Sequence, residues 1–303
     1  DLQYANNDIN TQLQQLENML TKGVNALVVA SIDGSALTDV LAKAGEQGVP
    51  VIAYDRLLMN SENVDYYATF DNWKVGTMQG NYIVEQLDLE NAAGPFNIEL
   101  FTGSPDDNNA RFFFGGAMEV LQPYIDSGKL VVPSGQTEFT AVATQAWDSA
   151  VAQARMDNLI TANYAGGAVL DAILSSNDSV AIGIVAALQN AGYGAADKPY
   201  PILTGQDCDK ANVKAMIAGQ QSMCVFKDTR SLAAQVVGMV NSIVTGGEVE
   251  VNDTTTYDNN VKVVPSFLVD PVFADASNYT EILLDSGYYT EADFEQLTEW
   301  MVG

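Results

Sequence analysis

Asp55 and Arg56 directly follow the apolar run Val51-Ile52-Ala53-Tyr54, so a carboxylate and a guanidinium stand where a buried strand would stop. The arrangement recurs along the chain. Beyond Phe96–Phe101 lies Gly103-Ser104-Pro105-Asp106-Asp107-Asn108-Asn109, and after Val169–Leu174 comes Ser175-Ser176-Asn177-Asp178. Pro201–Thr204 is followed by Gly205-Gln206-Asp207, and Met223–Phe226 leads into Lys227-Asp228-Thr229-Arg230. In open α/β sheets, ligands bind beyond the carboxyl ends of the strands. These ends carry hydrogen-bond donors and acceptors together, with no metal-like carboxylate cluster and no phosphate loop. Such a mixture suits a neutral polyol, because each hydroxyl both donates and accepts. Trp147 offers an aromatic face for the C–H side of a ring. An anionic ligand would want several unpaired cations, and here Arg56 and Lys227 have acidic neighbours.

Each of these residues also has a purely structural use. Asp55-Arg56 fits a surface turn with an ion pair, and Asn177 and Asn109 each fit a helix N-cap. Asp207 after Gly205 fits a turn, Trp147 fits a core and Lys227 a solvated surface. Their shared place at strand ends favours the ligand reading over the separate structural ones.

The elements that must position them alternate. Asp8 or Asn10 caps a helix carrying Leu13, Leu16, Met19 and Leu20 on one face and ended by Gly23. Ala26–Ser31 is a continuous apolar run of the kind buried on both faces. A helix over 37–44 and the strand 51–54 follow. The beat continues with a strand at 66–69, a helix at 75–86, a strand at 96–101 and a helix from Asn109 to Ile125. Strand 169–174 then feeds helix 180–190, strand 201–204 feeds helix 211–218, and strand 223–226 feeds helix 232–244. This alternation means parallel α/β architecture. At 303 residues, two doubly wound lobes are the natural solution; a TIM barrel is the competing α/β fold. The opening Asp1-Leu2-Gln3-Tyr4-Ala5 reads as the end of a short strand followed at once by a capped helix, which sets the expectation that something upstream is missing or was processed away.

Composition narrows the chemistry. There is no histidine, which removes Ser-His-Asp and Cys-His catalysis and every His-ligated metal site. Thirty-nine acidic residues against 13 basic ones give a formal charge of −26. A surface that acidic repels phosphate backbones and anionic lipids. No apolar run approaches the roughly 20 residues of a membrane span. Cys208 and Cys224 fall at the end of one expected strand and inside the next, so a disulfide between them is a candidate if those strands are neighbours.

The runs Val51–Leu57, Gly103–Ala110, Thr204–Asp207 and Val225–Arg230 resemble the extracytoplasmic monosaccharide-binding proteins of bacterial ABC transporters, in the multiple-sugar receptor and xylose-binding branch. The resemblance runs from Asp1 to about Tyr289. It implies a type I periplasmic-binding-protein fold, two lobes with three hinge crossovers near 103–109, 227–230 and 263–267, and a sugar between the lobes. The lobes are expected at 1–106 with 229–264 and at 107–228 with 265–303. Asp55 and Arg56 would bind hydroxyls from the first lobe, Asn109, Asn177, Asp207 and Lys227 from the second lobe and hinge, and Trp147 would stack on the ring. The departures are the opening strand and helix, Asn177 in place of a common tyrosine, Cys208 in place of a small residue and Arg111 in place of a common aromatic. The implied protein is a monomer without cofactor or enzymatic step, located in the periplasm or as a cell-surface lipoprotein in a Gram-positive bacterium. It would close on a hexose or pentose and be read by permease subunits or a membrane sensor. The rival readings are a glycoside hydrolase using Asp55 and Asp207 as acid and base, and the effector domain of a sugar-responsive repressor.

Overall fold

Short, almost purely apolar segments set the strands, and amphipathic segments cover them. The computed structural model describes residues 1–295. Its strands are β1 (Leu27–Val29), β2 (Val51–Tyr54), β3 (Tyr66–Phe70), β4 (Phe96–Phe101), β5 (Leu130–Val131), β6 (Ala172–Ser175), β7 (Ile202–Leu203), β8 (Met223–Phe226), β9 (Ser266–Val269) and β10 (Val272–Asp275). The helices are α1 (Ile9–Lys22), α2 (Thr38–Glu46), α3 (Asn72–Gln86), α4 (Asn108–Asp126), α5 (Phe139–Val142), α6 (Ser149–Leu159), α7 (Asp178–Asn190), α8 (Lys210–Ile217), α9 (Thr229–Thr245) and α10 (Ala292–Glu295). The α1 cap is Asp8, whose Oδ1 accepts from the Thr11 amide at 2.6 Å, and Gly23 ends the helix at φ 77°.

The chain divides into two units. One comprises Asp1–Asp71, Asp106–Asn109 and Asp228–Asp270; the other comprises Asn72–Pro105, Ala110–Lys227 and the described part of Pro271–Gly303. The first unit holds a four-stranded parallel sheet in the order β1-β2-β3-β9. Leu232, Val236 and Met239 of α9, at helical spacing, bury against Ile52, Ala68 and Phe70 of its strands. In the second unit the parallel order is β5-β4-β6-β7, with β8 and β10 forming an antiparallel pair. A parallel bridge between Gln206 and Val225 links the end of β7 to β8.

Alternation along the strands explains the layers of the second unit. Ile98 and Leu100 of β4, with Ala172 and Leu174 of β6, cluster with Phe114, Ala117 and Leu121 of α4. Phe101 and Ile173, one step out of phase, cluster with Met156 of α6 and Val180, Ile184 and Leu188 of α7. The sheet is therefore covered on both faces. Both parallel sheets have free ends, which rules out a closed barrel.

Several expectations change. Residues 72–105 belong to the second unit rather than the first, because β4 is the strand that pairs with both β5 and β6. Residues 265–270 stay in the first unit because β9 pairs with β3. The chain passes between units at 71/72, 105/106, 109/110, 227/228 and 270/271; the expected passage at 263–267 falls a few residues late. Residues 296–303 of the expected second lobe lie outside the described residues. Residues 1–5 form no strand. Val28 in β1 is 42% exposed, so that strand is not buried on both faces. The strand expected at 169–174 starts at Ala172, with Val169 exposed.

Asp228 joins the two units' sequences and caps α9, its Oδ1 accepting from the Arg230 amide at 3.0 Å. The Arg230 guanidinium, bonded to the same carboxylate, holds this carboxyl below its ordinary range. Asp228→Ala is expected to cost about 1 kcal/mol of stability at neutral pH in urea unfolding. A depressed carboxyl stabilises above its unfolded pKa of about 3.9, and that contribution is lost as the pH falls through the folded value. The gap between wild type and variant should therefore narrow in acid.

Candidate functional site

In the first unit, the site is built where β2 stops. Asp55 bends the chain with φ 61°, a left-handed conformation that carbonyl hydrogen bonds must hold. The Asp55 carbonyl accepts from Thr69 Oγ1 at 3.0 Å and Asn109 Nδ2 at 2.8 Å, and the Tyr67 hydroxyl lies 2.7 Å away. That hydroxyl is also 2.9 Å from Asn109 Oδ1, so one proton is shared between two acceptors. Burial pushes the Tyr67 phenol well above its ordinary range, so it remains a donor. With its backbone held, the half-buried Asp55 carboxylate has no hydrogen-bond or ion-pair partner among the described residues. Arg56 pairs with Asp107 and not with its neighbour: Nε lies 3.1 Å from Asp107 Oδ2, and Nη1 donates to the Ile32 carbonyl at 2.9 Å. Asp107 also accepts from the Asn109 amide at 2.9 Å. The segment 106–109 thus locks onto the end of β2. Asp107 and Tyr67 were not among the residues singled out in the sequence, although Asp107 lay inside the quoted run.

The second unit assembles the other candidates. Asn177 caps α7, its Oδ1 accepting from the Val180 amide at 3.0 Å. Only 8% exposed, Asn177 has no acceptor for its Nδ2 among the described residues. The cap therefore uses one atom of the amide and leaves the other unspent. Asp207 sits at φ 96° and Cys208 at φ 54° in the turn after β7. Lys227 Nζ pairs with Asp207 Oδ1 at 3.0 Å and lies 5.6 Å from the centre of the Phe113 ring. Lys227 is mostly buried, not a solvated surface lysine. Trp147, half-buried in a short turn over Gln145–Trp147, packs edge-on to Phe113 with ring centres 6.3 Å apart. Gly103 leaves room for its indole: a Cβ there would lie 1.9 Å from Trp147 Cη2. Phe113 thus carries both Trp147 and Lys227.

Beneath these groups lies a buried polar layer. Asp178, fully buried, accepts from Gln221 Nε2 at 3.0 Å and the Asp209 amide at 2.8 Å. Desolvation pushes its carboxyl well up, and the nearby Asp207 adds to the effect. Cys208 and Cys224, expected as a candidate disulfide, are free thiols. The Cys208 amide donates to Cys224 Sγ at 2.8 Å, and that thiol is engaged with Asp178 at 3.2 Å. Burial raises both thiols above their ordinary range. No group of His, Cys, Asp and Glu able to hold a metal occurs among the described residues.

Two α/β units with parallel sheets, polar groups at the strand ends and several chain passages between them define a bilobal ligand-binding class. Residues 1–248 match the periplasmic binding protein domain family, and the chain belongs to it, with the type I fold. It is 58% identical to the multiple sugar-binding periplasmic protein SbpA of Azospirillum brasilense, over 97% of this chain and 82% of that protein. It is also 58% identical to the multiple sugar-binding periplasmic receptor ChvE of Rhizobium radiobacter, over 95% and 81%. The structure of an ABC transporter solute-binding protein from Clostridium phytofermentans with bound β-D-glucose superposes with a TM-score of 0.93 at 59% identity, covering 97% of this chain and 90% of that one. No helix among the described residues is long and apolar enough to cross a membrane.

The cap and the unspent Nδ2 of Asn177 can be separated. Asn177→Ser keeps a capping oxygen and loses Nδ2, whereas Asn177→Ala loses both. In urea unfolding, the alanine variant should lose about 1 kcal/mol and the serine variant a few tenths at most.

Proposed function

We propose that this chain is an extracytoplasmic solute-binding protein that captures a monosaccharide and delivers it to an ABC permease. The observation that carries the reading is hydrogen-bonding capacity left unspent at the strand ends. The Asp55 carboxylate and the Asn177 Nδ2 have no partners among the described residues, yet the backbone carbonyls of both residues are hydrogen-bonded. An acceptor such as Asp55 and a donor such as Asn177 Nδ2 are what a sugar hydroxyl needs. Arg56, Asn109, Asp207 and Lys227 supply further polar partners in this reading, and Trp147 takes the C–H face of the ring. The glucose held by the Clostridium phytofermentans relative and the multiple-sugar names of the other two support a hexose or pentose as cargo. Each unit carries its own share of these groups. No bond is made or broken in this function. The permease would recognise the loaded form outside the cytoplasm, as the periplasmic names of the relatives support.

Isothermal titration against D-glucose, D-galactose, D-xylose, L-arabinose and D-ribose tests the proposal. Tight binding of at least one sugar is expected, with Asp55→Ala weakening it by about a hundredfold, the scale of a lost charge-assisted hydrogen bond. Absence of binding across the panel would overturn the reading, and release of p-nitrophenol from aryl glycosides would replace it with a hydrolase.

A further inference from the structure

Gln79 lies on α3, outside the strand ends, and is completely buried. Its Nε2 donates to the Ser176 carbonyl at 3.1 Å and to the Gly205 carbonyl at 3.0 Å. Ser176 immediately precedes Asn177, and Gly205 stands two residues before Asp207. One side-chain amide therefore ties the end of β6 to the end of β7. Gln206 adds a second bond to the Ser176 carbonyl, from its own Nε2 at 2.9 Å. The Oε1 atoms of both glutamines are buried without a hydrogen-bond partner. That is a cost which an apolar residue of similar size would avoid. Turning the Gln79 amide over would aim its oxygen at two carbonyls, so the two donor bonds fix its orientation.

From another direction, Asp178 accepts from the Asp209 amide and Gln221, closing the same turn against the start of α7. Gly205 has no space for a side chain there: a Cβ would lie 2.2 Å from Gln221 Nε2 and 2.3 Å from Asp178 Oδ1. Asn177 and Asp207 are thus held at a set spacing by side chains that themselves offer nothing to a ligand. We infer that Gln79 is a positioning residue, which fixes Asn177 relative to Asp207 and so sets the affinity for the sugar. The inference rests on the function proposed above.

Two measurements on the full chain test it. In the absence of sugar, hydrogen–deuterium exchange followed by peptide mass spectrometry is compared between wild type and Gln79→Leu. Faster exchange is expected in the segments 176–180 and 205–209 and unchanged exchange in 51–56, the β2 end. Gln79→Met, longer and more adaptable but equally without a donor, serves if the leucine variant does not fold. Unchanged exchange at both strand ends would overturn the inference whether or not any sugar binds.

The second measurement is a double-mutant cycle read by titration with the sugar that wild type binds best. Gln79→Leu should weaken binding about tenfold, and the same change should matter less than twofold in an Asn177→Ser/Asp207→Ala background, because it acts through those two residues. Equal losses in both backgrounds would mean that Gln79 only stabilises the fold, and the inference fails. Faster exchange in Gln79→Leu beside a wild type that binds no sugar would leave the clamp standing and overturn both the proposed function and the role in affinity.

Discussion

A parallel strand that stops inside a sheet leaves its last carbonyls without ladder partners, and a buried carbonyl must be satisfied. The candidate site follows from how this chain meets that constraint. At the end of β2, the Asp55 carbonyl takes donors from Thr69 and Asn109 with the Tyr67 hydroxyl beside it. At the end of β6, the Ser176 carbonyl takes Gln79 and Gln206. The Gly205 carbonyl beyond β7 takes Gln79 and the Val225 amide. In each case side chains spend their donors on the backbone, and at the ends of β2 and β6 the neighbouring Asp55 carboxylate and Asn177 Nδ2 are left unspent among the described residues. Rigid strand ends with uncommitted side chains are what a preorganised binding site requires.

The same economy accounts for the electrostatics. The two cations at strand ends each have an aspartate partner: Arg56 pairs with Asp107 and Lys227 with Asp207. Both cations are matched by a carboxylate and the Asp55 carboxylate adds a further negative charge, which suits a neutral ligand and disfavours an anionic one. The charge of −26 over the whole chain adds repulsion against phosphate-bearing partners. Asp178, fully buried, has no ion-pair partner among the described residues and is held by an amide, a glutamine and a thiol. It sits in the first turn of α7, where the helix dipole favours negative charge.

Much of this was legible in the sequence, and the gaps have physical causes. The strands at 51–54 and 223–226 stand out as uninterrupted apolar runs, and 96–101 as apolar residues alternating with Asn97 and Glu99. β5 is two residues long, and α6 carries few large apolar residues, its core contacts being Ala152, Met156 and Leu159. Neither announces itself. The unit boundary at 71/72 was missed because Asp71 runs directly into α3 with no glycine or proline to mark it. The polar residues at the strand ends were readable from position alone. Their partners were not: nothing local in the sequence tells that Arg56 chooses Asp107 over Asp55, or that a glutamine midway along α3 reaches carbonyls about 97 and 126 residues away.

A crystal structure of the chain grown with D-glucose, and a second with D-xylose, addresses the central claim most directly. The account expects a sugar ring with hydroxyls bonded to the Asp55 carboxylate and to Asn177 Nδ2, and with one ring face against Trp147. A sugar bound away from these residues, or a Trp147 indole buried beyond its reach, would contradict it.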